Sequence, residues 1–201
     1  HLALGSLFRR RGEVDRAIRI HQNLIARPTL LPAQRAHALF ELGQDYMKAG
    51  LFDRAETLFG ELVENKPHSK QALEYLLDIY QQEKDWTKAI SVAVDLYAEG
   101  AVDVAATISQ YYCELAEIAK TKGDVSQLAA DAKQALYYDK RSVRALILLA
   151  DHEISQNNYQ QAIYYFEQIE HHDAAFFPVI LDKLIECYHA LGKPEKLLSY
   201  L

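Results

Sequence analysis

The sequence has 201 residues, of which half are apolar and a quarter are charged. This composition is typical of a globular protein with enough apolar residues to fill a core. The net charge of −6 argues against nucleic acid as the main partner. Such a partner would require a basic face, and only the arginines at 9–11 form a locally basic run.

Cys113 and Cys187 lie in separate helical patterns and form no CxxC pair. We expect both thiols to be reduced and buried or half-buried. No apolar run reaches the roughly 18 residues that a membrane span needs. The chain begins and ends inside helical patterns, so we expect it to be a piece of a longer protein.

A small or apolar residue recurs shortly after each predicted helix turn. In chain order, this slot holds Ala17, Ala55, Ala89, Leu128, Ala162 and Leu197. The intervals are 38, 34, 39, 34 and 35 residues, which indicates a basic period of 34 with a few extra residues near 28–32 and 100–104. A period of 34 with two helices per unit is typical of tetratricopeptide repeats. The sequence therefore predicts an all-α superhelix without strands. It consists of about six units, the first and last incomplete, in a single solenoid over residues 1–201.

The second repeat matches the tetratricopeptide pattern throughout, with Leu42, Gly43, Tyr46, Ala55, Phe59 and Pro67 at the expected spacing. Small first-helix residues such as Gly43 let the second helix approach closely, while aromatic residues fill the space between units. Pro67 is expected to end a second helix. Glycines are expected to supply the turns between helices, at Gly12, Gly50, Gly123 and Gly192.

No sequence motif for catalysis is present. GxSxG, HExxH, GxGxxG and P-loop patterns do not occur, and neither cysteine has a histidine positioned to activate it. His171, His172 and Asp173 are interpreted as the polar end of a helix and not as metal ligands. The sequence thus predicts a protein that is not an enzyme and that binds no cofactor or metal within these residues.

Protein binding is the remaining function. In tetratricopeptide stacks the first helix of each unit lines a concave groove. The repeat frame projects these residues into it: Arg9, Arg10, Gln44, Lys48, Tyr75, Asp78, Gln82, Glu114, Glu117, Asp151 and Glu186. The groove is expected to run from basic to acidic, which would orient a partner. Acids at the positions where chaperone-binding members hold a peptide carboxylate argue against that ligand.

Several longer segments resemble one particular family. LGSLFRRRGEVDRAIRIHQNLI at 4–25 is the most specific, and LGQDYMKAGLFDRAETLF at 42–59, LLDIYQQEKDWTKAI at 76–90, YYCELA at 111–116 and CYHALGK at 187–193 follow in order. Together they are similar to the lipopolysaccharide assembly protein B family of Gram-negative bacteria.

The resemblance implies an adaptor at the cytoplasmic face of the inner membrane. Members of that family bring the lipid A deacetylase LpxC to the membrane protease FtsH for degradation. They have an N-terminal anchor and a C-terminal rubredoxin-like metal site, neither of which this sequence contains. The alternatives left open are a generic scaffold for another assembly and a hydrolase or transferase built into a helical repeat. Association of two copies is also left open. An adaptor needs a second surface, for which the convex surface of the stack or the loops at 27–34 and 100–105 are candidates.

Overall fold

The computed structural model describes residues 1–64, 69–172 and 174–200. Eleven α-helices and two short 3-10 segments form this part of the chain, and no strand occurs in it. The helices are α1 (Leu2–Arg10), α2 (Val14–Ile25), α3 (Pro32–Lys48), α4 (Phe52–Glu64), α5 (Ser69–Glu83), α6 (Trp86–Ala98), α7 (Val104–Lys122), α8 (Val125–Tyr138), α9 (Val143–Ser155), α10 (Tyr159–His172) and α11 (Phe177–Ala190). The 3-10 segments are Ala174–Phe176 and Pro194–Tyr200. The all-α repeat prediction is confirmed.

The helices form two compact units, residues 1–101 and 102–201. Within unit 1, α1 packs on α2, α3 on α4 and α5 on α6, and successive pairs join through α2 with α3 and α4 with α5. Within unit 2, α7 packs on α8 and α9 on α10, while α8 joins α9 and α10 joins α11. Each repeat is therefore a helical hairpin that buries its apolar face against the next hairpin of its unit.

The turn between the two helices of each repeat has one conformation in all six repeats. One residue takes a positive φ: Gly12, Gly50, Lys84, Gly123, Asn157 or Gly192. The next N–H then donates to a carbonyl five residues back, as in Leu51 to Tyr46 at 2.9 Å and Asn158 to Glu153 at 2.8 Å. This left-handed cap satisfies the last carbonyls of the first helix. The four predicted turn glycines are confirmed, and Lys84 and Asn157 fill the same place in the third and fifth repeats.

The recurring small residue lies at the contact between paired helices. Ala17, Ala55, Ala89 and Ala162 have no exposed surface. Opposite them, a methyl group added at Gly43 would lie 2.7 Å from the Phe59 ring. The predicted close approach of first and second helices is thus confirmed. Pro67, the expected end of the second helix in this repeat, lies outside the described residues.

Side-chain caps begin helices α6, α8 and α9. The carboxylate of Asp85 accepts the Lys88 N–H at the start of α6, and Asp124 accepts the Gln127 N–H at the start of α8. At α9 the Ser142 hydroxyl accepts the Ala145 N–H. These bonds satisfy N–H groups that have no partner inside the helix, so they fix where each helix begins.

Candidate functional site

The first helices of the repeats lie side by side in each unit and expose a shared surface, here called the first-helix face. In unit 1 it belongs to α1, α3 and α5, and in unit 2 to α7, α9 and α11. All eleven residues predicted to bind a partner lie on these helices, namely Arg9, Arg10, Gln44, Lys48, Tyr75, Asp78 and Gln82 in unit 1 and Glu114, Glu117, Asp151 and Glu186 in unit 2. The partner binding itself stays a prediction.

Arg9 is the best-connected of these residues. Its guanidinium donates to the Asp45 carboxylate at 2.7 Å, the Glu41 carboxylate at 2.8 Å and the Gln44 amide oxygen at 2.9 Å. The Ser6 hydroxyl donates to the same Glu41 oxygen at 2.6 Å. Only 14% of the Arg9 side chain is exposed, so this charge holds α1 against α3 and offers little surface to a partner.

The local electrostatics follow from these bonds. Burial alone would lower the pKa of Arg9, but the hydrogen bonds to Asp45 and Glu41 outweigh it and the pKa is raised. Burial likewise would raise the pKa of Glu41, yet the hydrogen bonds from Ser6 and Arg9 hold it below the ordinary value. Both groups are therefore stabilised in their charged forms.

The sequence reasoning missed the two buried partners of this network. His21 and Asp45 are both fully buried, and Nδ1 of His21 lies 2.5 Å from Oδ2 of Asp45. Both residues differ from their equivalents in other repeats. His21 lies four residues after the recurring small residue, where Phe59 and Phe166 lie in the second and fifth repeats, and Asp45 corresponds to Ile79 in the third. The signal that could have revealed this pair is the presence of polar residues at core positions in two adjacent repeats.

The rest of the first-helix face of unit 1 is open. Arg10, Lys48, Asp78 and Gln82 are exposed. Tyr75 is half-buried, because its ring stacks on Phe59 with a centroid separation of 4.9 Å. Burial raises the pKa of the Tyr75 hydroxyl, and the carboxylates around it act in the same direction. The Tyr75 ring thus packs against α4, on a face that also carries exposed charges.

In unit 2 the predicted acids are interleaved with bases that the repeat frame did not select. Arg144 donates to Glu114 at 2.6 Å, and Lys183 donates to Asp151 at 2.5 Å. Lys120 lies 3.8 Å from Asp151 on the other side. Glu186 is exposed. A partner approaching this face therefore meets both signs of charge.

A cleft of about 360 Å³ opens between α7 and α9 on this face. Its apolar lining includes Val143, Ile147 and Phe176, and 40% of Phe176 is exposed. Glu117 and Arg144 lie at its polar side. Apolar surface surrounded by charged groups is the arrangement found where proteins bind one another.

The two cysteines are poor nucleophiles. Both are free and fully buried. Burial raises the pKa of the Cys113 thiol, and burial together with Glu186 and Asp151 raises that of Cys187 to about 11. Since the thiolate is the reactive form, neither side chain is activated.

Two further observations concern the described residues only. No group of three His, Cys, Asp or Glu side chains among them converges as metal ligands would. None of their helices combines the length and apolar character required to cross a bilayer. The side chains of His171 and His172, and all of Asp173, lie outside the described part, and the expectation of no metal stays a prediction.

Comparison with known proteins agrees with the repeat geometry. Family models of the tetratricopeptide repeat match residues 1–33 and 40–103. Together with the helical hairpins, these matches show that the chain has the tetratricopeptide repeat fold. It is 38% identical over all 201 residues to lipopolysaccharide assembly protein B of Escherichia coli (strain K12), covering 52% of that protein. It is 36% identical over 200 residues to the Haemophilus influenzae protein of the same name, covering 50% of it. The chain thus spans about half the length of the curated relatives it matches.

Solved structures share the fold at lower sequence identity. A tetratricopeptide repeat protein from Parabacteroides merdae ATCC 43184 superposes with a TM-score of 0.51 at 16% identity, covering 98% of this chain and 75% of that one. A MamA protein superposes with a TM-score of 0.50 at 18% identity, covering 87% and 91%. At these identities the likeness concerns the fold alone.

Proposed function

We propose that this tetratricopeptide repeat protein is a non-enzymatic adaptor in lipopolysaccharide biosynthesis, acting at the cytoplasmic face of the inner membrane. In this role it brings the lipid A deacetylase LpxC to the protease FtsH. The observation that carries the proposal is the similarity of the whole chain to proteins named lipopolysaccharide assembly protein B, at 36 and 38% identity.

The geometry of the first-helix faces supports protein binding. Charged residues such as Arg10, Lys48 and Asp78 are exposed around the half-buried Tyr75 in unit 1. In unit 2 the partly exposed Glu114–Arg144 pair lies beside the apolar cleft. Aromatic anchors within charged surroundings are typical of interfaces, where the charges set orientation and the apolar groups contribute binding energy.

The proposal assigns the exposed basic residues of unit 1 to the partner on the membrane side. Arg9 is unsuitable as a test of that assignment, because its replacement would break the bonds to Glu41 and Asp45. Arg10 and Lys48 are exposed on neighbouring first helices, so their charges can be reversed without breaking those bonds. A matched control is the reversal of Arg19 and Lys133, which are exposed on second helices.

The experiment is a calorimetric titration of the chain with purified LpxC and, separately, with FtsH, at about 0.05 M and about 0.3 M salt. We expect saturable binding that weakens at the higher salt. Arg10→Glu with Lys48→Glu is expected to weaken FtsH binding about tenfold, since attraction becomes repulsion, while the control stays within about twofold. A folded chain that binds neither protein would overturn the adaptor proposal and leave the generic scaffold.

A further inference from the structure

A second cleft lies away from the first-helix face of unit 1, between α2, α3 and α4. It is an open groove with a volume of about 510 Å³. Its apolar part is formed by Ile25, Leu39, Leu42 and Leu58, and its basic part by Arg27 and Arg35.

The irregular first repeat borders this cleft. The interval between Ala17 and Ala55 is 38 residues where the basic period is 34, and the extra residues fall between the end of α2 and the start of α3. Arg35 joins the two helix ends, because its guanidinium donates to the carbonyl oxygen of Ile25 at 2.9 Å. The cleft therefore lies where the chain departs from the 34-residue period, and the hydrogen bond from Arg35 to Ile25 connects the two helix ends that border it.

The cleft is apolar at depth and positive at its opening. Leu39 and Leu42 are 8% and 5% exposed, so their surfaces are recessed. Arg27 and Arg35 are exposed. Among the described residues their guanidinium groups contact Nε2 of His1 at 3.2 Å and the carbonyl oxygen of Ile25 at 2.9 Å, respectively, and neither contact is with a carboxylate. Residues 1–54 contain nine basic and five acidic side chains, although the whole chain has a net charge of −6. This local excess attracts negative charge.

We propose that this cleft binds a segment of a partner protein in which one or two large apolar side chains stand next to aspartate or glutamate. The apolar side chains enter between α2 and α4, and the neighbouring carboxylates contact Arg27 and Arg35. The inference rests on the proposed adaptor function and assigns its second binding surface, beside the loop at 27–34.

The recessed floor favours a protein segment over a membrane surface. A helix that binds a bilayer presents protruding apolar residues that enter the lipid. Here the leucines lie below the arginines, so a protruding side chain of a partner can reach them and a flat lipid surface cannot. Charge-assisted contacts at the opening would then fix the direction of the bound segment.

The test is a nuclear magnetic resonance titration of the isotope-labelled chain with the peptide Glu-Asp-Leu-Phe-Asp-Glu. Two comparison peptides replace Leu-Phe by Ser-Ser, or the four acids by lysine. We expect amide shifts concentrated at residues 22–35 and 54–62 with the first peptide, and dissociation constants at least about tenfold weaker with the other two.

Variants of the chain locate the binding. Ala26 lines the cleft and ends α2 in a helical conformation, as the exposed Ala49 ends α3 outside the cleft. Ala26→Phe should fill the cleft and weaken binding about tenfold, whereas Ala49→Phe should leave it within about twofold. Arg27→Glu should weaken it about fivefold, and Arg19→Glu, which changes an exposed arginine of α2 outside the cleft, should change it little.

Several results would overturn the proposal. These are equal binding of the acidic and Ser-Ser peptides, shifts confined to the first-helix face, or an Ala26→Phe variant with unchanged affinity. Phosphatidylglycerol vesicles that shift the cleft amides when the peptide does not would reassign the site to lipid. If LpxC binds the chain and the acidic peptide does not, the adaptor function stands and the cleft proposal alone fails.

Discussion

His21 and Asp45 belong to neighbouring repeats, yet Nδ1 of His21 lies 2.5 Å from Oδ2 of Asp45 in a fully buried contact. The other carboxylate oxygen of Asp45 accepts from Arg9, and Nε2 of His21 lies 3.3 Å from the carbonyl oxygen of Leu2. Because every polar atom of this pair faces a partner, the pair is tolerated where the third repeat has the apolar Ala93 and Ile79.

Loss of the Asp45 charge should be costly. Asp45→Asn is expected to lower the free energy of unfolding by about 3 kcal/mol, because His21 stays buried without a carboxylate partner and Arg9 keeps only that of Glu41. Urea unfolding measures the change, and Asp78→Asn, which alters an exposed aspartate on α5, is the control.

The same pair can be tested for coupling. His21→Phe places in the first repeat the residue that the second repeat has at Phe59. In a double-mutant cycle with Asp45→Asn we expect a coupling energy of about 1 to 3 kcal/mol, as for residues in one buried network. Additive effects of the two substitutions would contradict the contact.

Glu41 should make stability depend on acid pH. Its pKa is held below the ordinary value of 4.5 in the folded chain, where hydrogen bonds from Ser6 and Arg9 outweigh burial. Its contribution is therefore complete above pH 4.5 and is lost as the pH falls below that value through the folded-state pKa. The stability difference between the natural chain and Glu41→Gln should shrink over that window.

Urea unfolding between about pH 6 and pH 3 checks this dependence. Glu74→Gln, which changes an exposed glutamate on α5, serves as the control. A difference between the natural chain and Glu41→Gln that stays constant across the window would show that the carboxylate is not stabilised in its charged form.

Two glycines in helices should respond to alanine with opposite signs. A methyl group at Gly43 would lie 2.7 Å from the ring of Phe59, whereas at Gly60 nothing lies within 4 Å. Gly43→Ala should lower the free energy of unfolding by about 1 to 3 kcal/mol through overpacking. Gly60→Ala should raise it by about 0.5 to 1 kcal/mol through helix propensity. Thermal and urea unfolding of both variants measure these changes. If both substitutions changed the free energy of unfolding in the same direction, the packing explanation would be wrong.

The native thiols should resist modification. Cys113 and Cys187 are buried and their pKa values are raised, so at about pH 8 we expect DTNB to react with them only at the rate of unfolding. Both should react at once in concentrated urea. A Ser155→Cys variant supplies an exposed thiol for comparison. Rapid reaction of the folded natural chain would mean that one cysteine is accessible.

The repeat period predicted the fold because it depends on packing that recurs. Ala17, Ala55 and Ala89 are all buried at equivalent places, and the turn glycines take the required positive φ. Lys84 and Asn157 occupy the same turn without being glycine. These two repeats could be recognised only because their other characteristic residues lie at the expected spacing.

The electrostatic partners were not predictable from that frame. It identified Glu114 and Asp151 as face residues, but it did not select Arg144 or Lys183, which pair with them. Pairing depends on how far long side chains reach between adjacent helices, which spacing within one repeat does not specify. Several pairs are separated by 32 residues, including Asp151 with Lys183 and Glu56 with Lys88. Opposite charges about one repeat apart are therefore a usable signal.

The buried network of the first two repeats also restricts the order in which repeats can stack. Most repeat contacts are apolar and similar, so a wrong neighbour could satisfy them almost as well. If the first hairpin packed on another one, Arg9 and His21 would be buried opposite Ile79 or an equivalent apolar side chain, at a cost of several kcal/mol. The polar pair thus favours packing of the first repeat on the second over packing on another, similar repeat. A single buried polar residue sets the register of the helices in a coiled coil in the same way.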